Sequence, residues 1–292
     1  MTGIRQLVDM LEALPTTAFL VLDRNRVVFD HGATSAPSHM ASARKSILSV
    51  LYGPAVAAGT IRLAATLGEL GIDDTGGLLP QERRATVRDL LTSSSGVYHP
   101  PATVAGPEQD APARGSQPPG TLFHYNNWDF NALGTIFQRC TGRSMFDALA
   151  EDLAAPLEFQ DFDPARQRLL GRPEVSEHLA HHFFLSARDL GRLGAMLLQG
   201  GRWEGRQVVP ASWVAESTSV QVDRGAGCSW TTATAGGCPG CWDLVPSWPS
   251  ATSASTCCAC RPGWWSCTFG PCPTRSSWPA PRARSRRPRS SR

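Results

Sequence analysis

Met40-Ala-Ser-Ala-Arg-Lys-Ser-Ile-Leu48 holds the only lysine of a 292-residue chain that carries 27 arginines. A coding sequence very rich in G and C produces such an imbalance, with Arg standing wherever a positive charge alone is wanted. The surviving Lys then marks a position where Arg would fail, because a desolvated ammonium can release its proton and a guanidinium cannot. Ser42 stands three residues before Lys45. The stretch from Ser42 through Leu51 and on to Ala58 spaces its apolar residues for a buried helix that Gly59 breaks. Hydroxyl and amine therefore share one face at a helix start, within hydrogen-bond reach. This is the nucleophile and base arrangement of acyl transfer, and the helix N-terminus favours the negative charge that develops. Because 26 residues are Ser, chance alone sets one three places before a lone Lys about once in eleven.

Around this motif the chain reads as helices behind a strand pair. Ala18-Phe-Leu-Val-Leu, a polar turn at Asp23-Arg-Asn-Arg and Val27-Val-Phe predict a β-hairpin. Thr86 to Leu91 predicts a short helix ended by Ser93-Ser-Ser-Gly96, and three amphipathic helices follow over 130–139, 145–157 and 187–198. Residues 100–120, rich in Pro and Gly, predict a long surface loop of the kind that lines binding sites. With 41% hydrophobic and 18% charged residues the chain can bury a sizeable core. No apolar run of membrane-spanning length and no secretory leader is visible, which predicts a cytoplasmic protein without a membrane partner.

Pro119-Gly-Thr-Leu-Phe-His-Tyr125-Asn-Asn127 adds a Tyr and an Asn two apart just after the Pro/Gly-rich loop. With these residues the chain resembles the serine β-lactamase-related family: class C β-lactamases, penicillin-binding peptidases and serine esterases. That family carries S-x-x-K, then Y-x-N, then K-T-G or H-x-G. Ser42 and Lys45 match the first element, and Tyr125 and Asn127 match the second. Val87 to Gly96, Ser186-Ala-Arg-Asp-Leu-Gly and Leu197 to Arg206 are similar in family order, so the resemblance covers roughly residues 15–217. It implies an α/β (α+β) fold of the β-lactamase/transpeptidase type, a helical domain packed on an antiparallel sheet. It also implies Ser42 as nucleophile, Lys45 as base, Tyr125 as proton relay and Asn127 as a ligand of the substrate, with no metal and no organic cofactor. Arg44 and Ser46 flank the motif without a nameable chemical demand. His124, His181 and His182 lack carboxylate or Cys at ligand spacing and are read as packing or surface residues.

The third element is not found. No K-T-G or H-x-G follows residue 203, and the composition changes abruptly near residue 226. Residues 1–225 carry a net charge of −4 (20 basic, 24 acidic), whereas 226–292 carry +7 (8 Arg, one Asp). The tail also holds eight of nine Cys and six of nine Trp, with a single Leu and a single Val. Too little aliphatic surface remains there to offset ordering entropy, so a disordered tail is expected. Cys238-x2-Cys241 and Cys257-x2-Cys260 have zinc-ribbon spacing but little strand-forming sequence between them, and the Arg-rich end has the charge of a nucleic-acid tail. A shifted reading frame of a GC-rich gene accounts for the whole segment. One base back, Ser250-Ala-Thr-Ser-Ala permits Gly-His-Val-Gly, an H-x-G element, and Gly263 to Gly270 permits a Val-rich strand.

The sequence therefore predicts a serine hydrolase domain over 1–225 and an out-of-frame tail over 226–292, with the C-terminal strands of the sheet missing. A small molecule is the expected partner, and nucleic acid is not. A catalytically inactive homologue, or a protein with a zinc- or nucleic-acid-binding tail, stays open as an alternative.

Overall fold

A computed structural model describes residues 2–23, 25–103, 111–223, 229–230, 255–261 and 264–270. Helix α1 (Thr2–Ala13), which the sequence reading did not anticipate, leads into the expected hairpin of β1 (Ala18–Asp23) and β2 (Arg26–Gly32). Asn25 turns the hairpin in the left-handed region at φ 66°. The short strand β3 (Ser38–His39) and a single tight turn at Ala41–Ala43 then deliver the chain to α2 (Arg44–Ala57).

Helix α2 is the centre of the molecule. Ile47, Leu48, Val50, Leu51 and Tyr52 are all buried, so apolar surface runs around the helix and not along one stripe, as expected of a helix enclosed by others. Helix α2 packs against α4 (Trp128–Thr141), α5 (Met145–Ala148) with its π-helical continuation at 149–154, and α7 (Ala211–Thr218), while α3 (Val87–Leu91) packs on α4 and α6 (Ala187–Leu198) on the sheet. The Tyr52 hydroxyl donates to the Leu133 carbonyl of α4 at 2.6 Å, and Trp213 Nε1 of α7 donates to the Ser49 carbonyl at 2.8 Å. Short antiparallel pairs fill the periphery: β4 (Arg168–Leu170) with β5 (Ala180–His182), β3 with β6 (Phe184–Leu185), β7 (Arg202–Trp203) with β8 (Arg206–Gln207), and β9 (Val222–Asp223) with β10 (Ser229–Trp230).

The main sheet differs from expectation. Strands β11 (Ser255–Arg261) and β12 (Trp264–Gly270) extend the hairpin into a four-stranded antiparallel sheet, in the order β11-β12-β1-β2. Strand β12 pairs along β1 from Ala18↔Phe269 to Leu22↔Trp265. The expectation of a two-stranded remnant rested on the lack of aliphatic residues, which limits burial. Pairing needs only backbone groups and residues that tolerate a pleat, and Thr, Trp and Phe do so well. The rest of the tail, including Cys238, Cys241 and the Arg-rich end, lies outside the described residues. Helix α6 covers the sheet, and it comes so close that a Cβ on Gly191 would lie 2.7 Å from Leu22 Cδ1. Among the described residues no helix is long and apolar enough to cross a membrane.

Contact between α2 and α7 depends on Gly53, where a Cβ would lie 2.5 Å from the Trp213 ring. Gly53→Ala is expected to destabilise the fold by about 1–3 kcal/mol through overpacking, read as a lower urea midpoint at unchanged slope.

Candidate active site

Three separate segments converge on Ser42. The first is the Ala41–Ala43 turn, entered through Ala41 at φ 42°, a left-handed conformation unfavourable for a residue with a Cβ. It sets Ser42 one helical turn ahead of Lys45, as the spacing predicts. The second segment is the return arm of the Pro/Gly-rich loop. Its backbone pairs with the Ser93–Gly96 stretch, Gly120 N–H donating to the Ser94 carbonyl at 2.8 Å and His124 N–H to the Ser93 carbonyl at 2.7 Å. Gly96, at φ 68°, permits this approach, since a Cβ there would sit 2.5 Å from the Gln117 carbonyl oxygen. Tyr125 follows directly. The third segment is strand β11, whose backbone passes against the Ala41–Ala43 turn.

The first two segments place the four predicted site residues together. Tyr125 donates its hydroxyl to Ser42 Oγ at 2.8 Å, and Lys45 Nζ reaches Tyr125 Oη at 2.7 Å and Asn127 Oδ1 at 2.8 Å. The direct separation of Lys45 Nζ from Ser42 Oγ is longer, 3.4 Å. Lys45 is only 2% exposed, with Nζ 4.5 Å from the Tyr125 ring centroid and 5.4 Å from that of Phe130. Burial, helped by the neighbouring Arg44 cation, holds the amine well below its ordinary range of protonation. Burial pushes the Tyr125 phenol up, against the opposing pull of its bond to Ser42 and of Arg44. Asn127 stands at the N-terminal boundary of α4 without a side-chain capping bond and gives its amide oxygen to Lys45, a contact the sequence reading did not foresee.

The Tyr125–Asn127 turn is fixed from behind by two buried carboxylates that sequence reasoning missed. Asp129 accepts from Ser95 Oγ at 2.6 Å and from Asn126 Nδ2 at 3.1 Å, and Asn126 Oδ1 in turn accepts the Asp129 N–H. Asp74 accepts from Trp128 Nε1 and Ser176 Oγ, each at 2.6 Å. Burial raises the Asp74 carboxyl, but these bonds and two from the backbone outweigh it and leave it below the usual carboxylate range. For Asp129 burial wins, and its carboxyl is pushed up to about 8. The only sequence signal for Asp129 is its place two residues after Asn127, and Asp74, far from either motif, has none.

The three histidines fall where packing puts them. His181 lies against Gly134 of α4, and His124 meets the Tyr98 ring edge-on at 5.4 Å. His182 Nδ1 shares a hydrogen bond with His39 Nε2 at 2.6 Å, the two rings stacked at 4.8 Å.

The Beta-lactamase family model matches residues 4–237. The chain belongs to the Beta-lactamase family. Members of this family are serine hydrolases, and the match spans both the Ser42–Lys45 and Tyr125–Asn127 elements. Solved structures share the β-lactamase-type fold at low identity. A penicillin-binding protein homologue from Caulobacter crescentus is 17% identical, with 92% of this chain and 91% of that one covered at TM-score 0.64. A penicillin-binding protein from Bacillus halodurans is 14% identical, covering 91% and 95% at TM-score 0.62. A β-lactamase from Mycobacterium bovis is 24% identical, covering 73% and 65% at TM-score 0.51. No curated protein sequence matches the chain.

A folded state that holds a proton on Asp129 up to about pH 8, which the unfolded chain releases near the ordinary carboxylate value, loses stability as pH rises between those two values. Asp129→Asn keeps the shape and an acceptor for Asn126 and removes the titration. Its urea midpoint is expected to fall less between pH 5 and pH 8 than that of the parent chain.

Proposed function

We propose that the protein hydrolyses an ester, amide or β-lactam bond of a small molecule through a covalent acyl-enzyme on Ser42. The observation that carries this reading is the unbroken array Ser42 Oγ, Tyr125 Oη, Lys45 Nζ, with steps of 2.8 and 2.7 Å around an amine whose protonation burial disfavours. Ser42 Oγ attacks the carbonyl carbon, and its proton passes through the Tyr125 phenol to Lys45. The tetrahedral intermediate then collapses, expelling an alcohol or amine that takes the proton back along the same path. Water next attacks the Ser42 ester, gives up a proton to the array, and the acid departs while Ser42 regains its hydrogen. Asn127, whose oxygen is engaged by Lys45, offers its Nδ2 to an acceptor on the substrate.

The same reading includes residues 226–292 as a segment read out of frame. Its support is the composition change at 226 and a family match that ends at 237. Strand β11 runs past the Ser42 turn where the third family element is expected, but its residues are Ser255-Thr-Cys-Cys-Ala-Cys-Arg261. A chain without the oxyanion donor that the family's third element implies turns over roughly 100- to 1000-fold more slowly, so a frame-corrected chain is expected to be the faster hydrolase.

A fluorophosphonate probe is expected to add one equivalent of label per chain, located at Ser42 by peptide mapping. The adduct disappears in Ser42→Ala, and its rate of formation falls by about 100-fold or more in Lys45→Arg. A label of equal rate in Lys45→Arg contradicts the assignment of Lys45 as base.

A further inference from the structure

Arg44 is 4% exposed and lies next to the catalytic-site lysine, yet among the described residues it makes no ion pair. Its Nη2 donates to the Asn131 Oδ1 of α4 at 2.8 Å, and its Nη1 is buried without a hydrogen-bond partner among the described residues. Buried guanidinium groups usually face a carboxylate, because an unpaired buried charge is costly. Here every group that feels the Arg44 charge across the packing is a neutral one. From β3 comes His39, from β5 come His181 and His182, and from the loop before α4 comes Tyr125. Lys45 adjoins Arg44 on the same helix, and His182 is the one imidazole that also feels the charge of Lys45.

We propose that Arg44 is a positioning residue: its buried guanidinium, bonded to Asn131 and to no carboxylate among the described residues, stands beside Lys45 and readies that amine to accept a proton from Ser42. This rests on the reading of Lys45 as the base. Helix α2 thus sets side by side the two cations that a GC-rich sequence distinguishes, a guanidinium that stays charged and an amine that can lose its charge. Burial does the larger share of the work on Lys45, and the charge of Arg44 adds to it. Burial likewise lowers Arg44, to about 10, which leaves it cationic at neutral pH. The surrounding imidazoles stay neutral: burial first and Arg44 second pull His181 and His182 each down to about 4, and His39 moves in the same direction. Asn131 is the element that makes this possible. A carboxylate in its place would pair with the guanidinium and cancel its field at Lys45.

The test uses the fact that Lys45 is the only lysine in the chain. Lysine labelled with 13C at the ε-carbon gives the full chain one reporter signal, whose pH titration reads the protonation of Lys45 without any need for turnover. Arg44→Gln keeps a hydrogen-bond donor toward Asn131 and removes the charge. Asn131→Asp leaves the guanidinium and its packing in place and neutralises it with a partner. Both variants are expected to raise the Lys45 midpoint by about one pH unit over the parent chain, and the acidic limb of ester hydrolysis is expected to move up with it. A purely packing role for Arg44 would lower stability and leave the midpoint where it is. An unshifted midpoint in Asn131→Asp overturns the proposal, and so does a parent chain whose Lys45 titrates at the ordinary lysine value. Labelling of Ser42 by the fluorophosphonate, which does not depend on either variant, decides the hydrolase reading separately.

Discussion

An amine with 2% of its surface exposed must either pair with an anion or give up its proton, and the architecture around Lys45 supplies no anion. Its partners are a phenol, an amide oxygen and a serine hydroxyl, and its neighbour along the helix is a second cation. The other features of the site follow from this constraint. A neutral amine can accept hydrogen, a phenol at 2.7 Å can pass it on, and a hydroxyl 2.8 Å from that phenol can lose it. A charged amine in the same place would have called for a carboxylate, and the buried carboxylates Asp129 and Asp74 are engaged by other side chains, Ser95 and Asn126 on the first and Trp128 and Ser176 on the second.

Precision of this kind demands rigid support, and the fold provides it by burying the helix that carries the lysine on all sides. Tyr52, Trp213 and Gly53 lock α2 to α4 and α7, so the Ser42 turn projects from the most constrained part of the molecule. The opposing wall is built differently. It arrives on a loop whose return arm is pinned to Ser93 and Ser94 by backbone bonds, and its final turn is held by side chains packed beneath α4. The backbone of the Ser42 turn is strained at Ala41, a residue with a Cβ held in the left-handed region. Local strain of order 1–3 kcal/mol at such positions persists only where the surroundings over-determine the geometry.

Much of this was legible in the sequence, for identifiable reasons. A single Lys among many Arg is a chemical statement, and its spacing from Ser42 fixes their shared helical face. The hairpin and helices α2, α3, α4 and α6 show in apolar periodicity, which the core imposes directly. Tyr125 and Asn127 were found through likeness to a family pattern and not through their own periodicity, because residues on a loop carry none. Helix α1 went unread because little of it is buried beyond Leu11. Arg44 flanks the motif with no chemical demand visible in the sequence; only the fold shows it buried and bonded to Asn131. Asp129 went unnoticed for the same reason. The strands β11 and β12 are not legible because their sequence is poor in aliphatic residues, whereas ladder pairing depends on the backbone.

Chemistry at Ser42 is the claim on which the whole account turns, and pre-steady-state hydrolysis of p-nitrophenyl acetate tests it most directly. The account predicts a burst of p-nitrophenol approaching one equivalent per chain, an acetyl adduct on the Ser42 peptide in rapidly quenched samples, and loss of both in Ser42→Ala. A burst that survives in Ser42→Ala, or an acetyl group found on any other residue, would contradict it.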